Sequence, residues 1–314
     1  MCLYPKLIKN RKYVANKKNG GKIPEVKDDR VLYVPVGCGN CIECRKKKKR
    51  EWQVRLQEEL KENKGLFVTL TFSDEKLDEL CREIKANESN AVATLAVRRF
   101  LERCRKETGK SIKHWLITEL GHNNTERIHL HGILFTDKSK EWLEKKWMYG
   151  HIWVGEYCNE KTINYIVKYV TKIDEDHKNY KSIILTSKGI GSNYLKTYGA
   201  TQNRYNEEKT NENYRLNNGG KTALPIYYRN KIYTEEEREK LWLNKLDKNI
   251  RWIDGVKVKA DDEKMIFEVL KNAQAKNKRL GYGDDTKEWK KEPYSVKLKE
   301  LNDKRRYRGL NKVK

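Results

Sequence analysis

No run of about 18 consecutive apolar residues occurs in this 314-residue chain, so no helix of it is expected to cross a membrane. The opening residues, MCLYPKLIKNRKY, have neither the apolar core nor the cleavage site of a signal peptide, and the expectation is a soluble intracellular protein. A phosphate loop of the form G-x-x-x-x-G-K-S/T is missing as well. The nearest string, RLNNGGKT at 215–222, has Arg215 where the first glycine should stand, so an intrinsic helicase is not expected. Acidic residues are in short supply: 45 Asp and Glu against 69 Lys and Arg leave a formal charge of +24, spread along the chain. Such a surface repels itself unless an anion is nearby, which makes nucleic acid the natural partner and anionic membrane a weaker one. Cysteine is sparse and odd in number, at seven. Three of the seven crowd into CGNCIEC, which suits a metal in a reducing compartment better than a disulfide framework.

The length allows one sizeable core with a small second domain or insertions. Residues 1–37 read as a basic arm that ends in an extended RVLYVPV. The cysteine cluster opens into RKKKKREWQVRLQEELKENKG, a basic helix that Gly65 is expected to end. LFVTLTF (66–72) reads as a strand, with Thr69 and Thr71 alternating among apolar residues. Residues 91–107 carry apolar positions at helical spacing and stop at Thr108-Gly109. KHWLITEL and RIHLHGILF read as two strands joined by the turn GHNNTE. EWLEKKW is a short helix, HIWVGEY a short strand and TINYIVKYVTK a helix despite its β-branched residues. Segment 200–222 is polar with little to bury and reads as an exposed loop or insertion. YTEEEREKLWLNKLDKN has Thr234 as cap and Glu237 three residues on, a capping box. The last 60 residues read as a basic accessory region.

The chemistry concentrates in four places. If RIHLHGILF is a strand, His129 and His131 project to one face roughly 7 Å apart, close enough for two imidazoles to converge on one metal ion. The bland alternative is one structural or surface histidine with a neighbour. Glu119, among apolar residues in HWLITEL, is costly to bury without a cation or hydrogen bonds, and a hairpin turn brings it level with the histidine pair. Its alternative is a carboxylate facing water, and His122 in the turn is a rival ligand. Two histidines and a carboxylate suit Mg²⁺ or Mn²⁺ at a phosphate, or Zn²⁺ in a compact site. Tyr165 and Tyr169 share a helical face with Lys168 and Lys172, a set that suits phosphoryl chemistry or, more plainly, amphipathic packing. Cys38, Cys41 and Cys44 fall one thiolate short of a four-cysteine structural zinc site, and Cys2 supplies the fourth if the arm folds back. Reduced packing cysteines and part of an iron–sulfur run are the alternatives. The basic run 45–50 offers phosphate contacts, or a solvated face, and Trp52, Trp115, Trp147 and Trp153 offer stacking platforms or core.

FVTLTF, then TEL with RIHLHGILF, then NYIVKYVTK resemble in order and spacing the three motifs of the HUH superfamily of single-strand DNA endonucleases. The nearest likeness is to the rolling-circle replication initiators of microviruses, small single-stranded DNA phages of gut bacteria. MCLYPKLIKNRKY and VGCGNCIECRKKKKREWQVRLQEE share that likeness, which is strong to about residue 175 and faint beyond. The resemblance implies an α+β fold: an RNA-recognition-like antiparallel sheet backed by helices, with the metal on its open face. It implies an N-terminal arm at 1–50, an endonuclease core at 51–180 and a basic C-terminal extension at 181–314. His129, His131 and Glu119 would hold Mg²⁺ or Mn²⁺, and Tyr165 and Tyr169 would be nucleophiles beside Lys168. The implied activity is cleavage and rejoining of single-stranded DNA at a replication origin through a 5′-phosphotyrosine, in the host bacterial cytoplasm. Host helicase and DNA polymerase are the implied partners. A transposase or plasmid relaxase of the same superfamily and a non-catalytic single-stranded DNA-binding protein are the competing readings.

Overall fold

A computed structural model describes residues 1–84, 88–121, 126–155, 157–173 and 180–283. The chain divides into two compact units. One comprises Met1–Lys47, Arg204–Asn211 and the described part of Arg229–Lys314; the other comprises Lys48–Asn203 and Glu212–Tyr228.

The second unit is built on one antiparallel sheet. After helix α1 (Ile42–Glu62) come strand β1 (Gly65–Leu70), helices α2 (Asp74–Ile84) and α3 (Ser89–Thr108), and strands β2 (Lys113–Leu120) and β3 (Ile128–Phe135). Helix α4 (Lys140–Trp147), strand β4 (Ile152–Val154), helix α5 (Glu160–Ile166) and strand β5 (Ile184–Thr186) follow. The strand order is β4-β1-β3-β2-β5, with every pair antiparallel, so β3 is central. This is the mixed helix and antiparallel sheet expected.

Alternation along β3 sorts its residues between two cores. Leu130 and Leu134 join Val68, Leu70 and Leu116 beneath Ala93, Ala96, Val97 and Phe100 of α3. These α3 residues recur at three to four, the stripe an amphipathic helix lays on a sheet. Gly109 closes α3 in the left-handed region, φ 71°, its N–H bonded to Arg105 O. On the opposite face Ile133 and Phe135 join Trp115 and Ile117, covered by Leu56 of α1 and by Ile163, Ile166 and Val167. Fully burying each such side chain contributes about 1.5–3 kcal/mol, so helices on both faces are worth their ordering cost. The second face is therefore open only at the end of β3 that carries the histidines, a narrower opening than a sheet backed on one side would leave.

Several local expectations change. Gly65 does not end α1, which stops at Glu62; it begins β1, and a Cβ there would lie 2.7 Å from Leu60 Cδ2 and 2.9 Å from Ile133 Cγ2. TINYIVKYVTK starts as α5, capped by Asn159, and tightens into a 3-10 turn at Val167–Val170. Consecutive β-branched residues crowd a regular helix, which fits that tightening. Segment 200–222 is no simple exposed loop. It holds a short helix (Tyr198–Thr201) and a hairpin (Asn213–Arg215 with Lys221–Ala223), and Tyr214 is buried with its hydroxyl on Glu58.

In the first unit, Lys6–Lys9 pairs with Tyr33–Val36, and the Thr234 capping box opens the helix Glu235–Asp247 as expected. The C-terminal region forms a hairpin, Ile250–Ile253 with Val256–Lys259, and a helix, Glu263–Arg279. Leu3, Tyr4, Cys41, Ile42, Ile253, Val258 and Ala273 make its small core. Among the described residues no helix is long and apolar enough to cross a membrane.

Candidate active site

Register places the first chemical group. Glu119 on β2 lies directly opposite His129 on β3, and Ile117 lies opposite His131. One Glu119 oxygen, Oε2, stands 3.3 Å from His129 Nε2 and 3.1 Å from His131 Nε2. Glu119, His129 and His131 each offer a ligand atom, and those atoms lie within 4.8 Å of one another. His122 lies outside the described residues.

The far side of each imidazole is held as well. His131 Nδ1 is 3.0 Å from Thr69 Oγ1, across the β1–β3 ladder where Thr69 and His131 are paired. His129 Nδ1 is 3.3 Å from the carbonyl oxygen of Arg127. A ring whose Nδ1–H donates to a carbonyl or hydroxyl presents a bare Nε2, the arrangement metal-binding histidines use. The donor set therefore fits a divalent cation. Both Nε2 atoms face the same carboxylate, and Glu119 is buried with only 10% of its side chain exposed.

Lys172 is a further member that the motif reading left aside. Its ammonium pairs with Glu119 Oε1. Burial pushes the Glu119 carboxyl up, but hydrogen bonds to His129, His131 and Lys172 outweigh it and hold the group well below the usual carboxylate range. Lys172 is thus a cation at the carboxylate that a metal would also use.

The tyrosines close the site. Tyr169 stacks on His131, ring centres 4.6 Å apart and planes 17° apart. Tyr165 stands edge-on to Tyr169, and the two hydroxyl oxygens are 2.8 Å apart. Burial, then the Tyr165 hydrogen bond and the Glu119 charge, push the Tyr169 hydroxyl above its ordinary value. Tyr165 is 46% exposed, with the Lys168 ammonium 5.9 Å from its ring centre. Ile163, Ile166, Val167 and Val170 are buried, so the turn that carries both tyrosines is anchored by its apolar face.

The tryptophans separate cleanly. Trp115 and Trp147 are fully buried, whereas Trp153 on β4 is 48% exposed. Trp153 is paired with Thr69, which is paired with His131, so all three side chains share the face of the candidate metal centre. Phe67 lies edge-on to both Trp153, at 5.4 Å, and Tyr165, at 6.0 Å. Thr69 and Phe67 were visible in FVTLTF only as strand residues; their two-residue alternation with the paired histidines was the signal for their roles.

Residues 65–174, which span all of these side chains, match the family model of the replication-associated protein ORF2. The chain is also similar to the replication-associated protein ORF2 of Spiroplasma virus 4, with 32% identity over 187 residues. That alignment covers 51% of this chain and 57% of the viral protein, so the chain spans little more than half the length of the curated relative it matches. No solved structure matches this chain.

Proposed function

We propose that the protein initiates and terminates rolling-circle replication of a phage genome, as an HUH endonuclease and ligase of the microvirus kind that cuts one strand of single-stranded DNA and rejoins it. One observation carries the reading: a Glu-His-His donor set and two hydroxyl-paired tyrosines meet at one end of one sheet face, inside the segment that matches replication-associated proteins. In this division of labour residues 51–180 do the chemistry, with 1–50 and 181–314 as basic appendages.

Glu119, His129 and His131 would hold Mg²⁺ or Mn²⁺, which supplies Lewis-acid polarisation of the scissile phosphate. The residues of the chain do the rest. One tyrosine oxygen attacks phosphorus, forming a phosphotyrosine bond to the 5′ side as the bond to the 3′ oxygen breaks. The tyrosine gives up its proton as it attacks, and the departing oxygen gains one; Lys168, beside Tyr165, is the nearby acid and counter-charge. The phosphodiester exchange is close to balanced, so rejoining needs no nucleotide. The hydroxyl-to-hydroxyl contact supports alternation, in which the second tyrosine attacks the regenerated origin while the first holds the old 5′ end. Strand separation and synthesis fall to a host helicase and polymerase in the bacterial cytoplasm.

The test is incubation of the purified chain with circular single-stranded genome and Mn²⁺, followed by peptide mapping of any covalent adduct. An adduct on Tyr165 or Tyr169 supports the reading. Salt-sensitive binding with no nick and no adduct would leave a DNA-binding protein without chemistry.

A further inference from the structure

Four sulfurs outside the catalytic unit form a second cluster. Cys2, Cys38, Cys41 and Cys44 each bring a sulfur to one place, all within 4.8 Å of one another, and Cys2 Sγ is 3.9 Å from Cys41 Sγ. All four cysteines are free. A disulfide requires about 2.05 Å between sulfurs, far shorter than this spacing. A tetrahedral zinc tetrathiolate, with Zn–S of about 2.3 Å, has sulfur–sulfur edges of about 3.8 Å, which matches it.

The surroundings of the sulfurs are those of ligands. Backbone N–H groups of Cys38 and Tyr4 point at Cys2 Sγ, at 3.2 and 3.4 Å, and that of Cys41 points at Cys38 Sγ, at 3.3 Å. Donors aimed at sulfur favour the thiolate and fix its direction. Gly39, at φ 80°, makes the tight turn between Cys38 and Cys41, and a Cβ at Gly37 would come within 3.0 Å of Cys44 Sγ. Cys41 immediately precedes α1, where the helix dipole favours negative charge. With no cation, the four thiols divide their protons unevenly. Hydrogen bonding from Cys2 draws the Cys41 thiol down and Cys38 down to about 7, while Cys2 and Cys44 are pushed up.

We propose that Cys2, Cys38, Cys41 and Cys44 bind one structural Zn²⁺ that ties the N-terminal segment, the cysteine loop and the C-terminal elements into a single core. The metal lies where three sequence-distant pieces meet. Gln274 Nε2 donates to Leu3 O, the Ile42 N–H donates to Asn277 Oδ1 at 2.8 Å, and the N-terminal ammonium donates to Trp252 O at 2.9 Å. The apolar core there has only seven buried residues, the size at which small folds rely on a metal or disulfide staple. The site is independent of the catalytic reading and shares no residue with it.

Elemental analysis of the full chain purified under reducing conditions tests the proposal, and one zinc per chain is expected. Cobalt exchanged into the site should give the visible absorption of a tetrahedral tetrathiolate. Cys2→Ser and Cys41→Ser should each lower zinc content and expose residues 1–44 to protease, whereas His129→Ala with His131→Ala should leave zinc content unchanged. Folded wild-type protein without zinc, iron in its place, or zinc that survives the Cys2→Ser, Cys41→Ser double variant overturns the proposal. Should the cysteine variants fail to fold, the cobalt spectrum of the wild-type chain decides.

Discussion

The hydroxyl oxygens of Tyr165 and Tyr169 stand 2.8 Å apart, one from the last turn of α5 and the other from the 3-10 turn that follows it. At that distance an anion on one oxygen makes an anion on the other costly, so the two are expected to act in turn rather than together. Tyr165→Phe and Tyr169→Phe should each still yield a covalent adduct, mapped to the remaining tyrosine. The double variant should lose cleavage by a factor on the order of 100 or more. An adduct that survives the double substitution would place the nucleophile elsewhere.

Thr69 fixes the proton of His131 from the neighbouring strand, and its replacement by valine keeps the shape while removing the oxygen. Loss of such an orienting bond typically weakens metal binding by about 10–100-fold. Titration of Mn²⁺ into Thr69→Val should show that loss with a nearly unchanged melting temperature. Equal affinity in wild type and variant would remove Thr69 from the site.

How much of this was readable from the chain depends on the range of the interactions. The β2–β3 hairpin joins strands close in sequence, so the convergence of Glu119 with His129 and His131 followed from alternation and a short connection. Helix α2 went unread, although Leu77, Leu80, Cys81 and Ile84 have helical spacing and were the signal for it. The burial of Tyr214 has no local signal, because its partner Glu58 is 156 residues away. Lys172 was visible as one of two lysines on a stripe. Its pairing with Glu119 rather than with a tyrosine depends on how the 3-10 turn rotates it, which spacing alone does not reveal.

Gly132 follows the second histidine because the sheet leaves no room for a side chain there. A Cβ would lie 2.0 Å from Trp115 O and 2.8 Å from Leu116 Cα. Backbone on a neighbouring strand cannot yield as a side-chain tip can, so Gly132→Ala should cost about 3 kcal/mol, near the top of the range for overpacking. For a unit of this size that is a fall of roughly 6–12 °C in melting temperature. A shift under a degree or two by calorimetry would contradict the packing argument.

Glu119 gives a pH signature in chelator-treated protein. Its carboxyl is lowered on folding, so its stabilisation is complete above the unfolded value of about 4.3 and is lost as pH falls through the lower folded value. The stability difference between wild type and Glu119→Gln should be constant from about pH 7 to about pH 5 and shrink toward about pH 3. Denaturant titrations at each pH measure it. A difference that grows on acidification would mean that the histidine and lysine partners do not outweigh burial.

Trp153 separates stacking from charge in the binding of single-stranded DNA. Its half-exposed ring shares the sheet face of His131 and Thr69, with Phe67 linking it to Tyr165, so a base beside the cleaved phosphate has an aromatic surface within reach. Stacking on one aromatic side chain is worth about 1–3 kcal/mol, and Trp153→Ala should weaken binding of an origin oligonucleotide by roughly 5–150-fold. Because no charge is removed, the slope of log affinity against log salt should stay as in the wild type. Lys168→Ala should do the reverse, reducing that slope by about 0.7 if its ammonium meets a phosphate. Fluorescence titrations across a salt series read both quantities at once. A Trp153→Ala variant that binds as tightly as wild type would confine the ring to packing against Phe67.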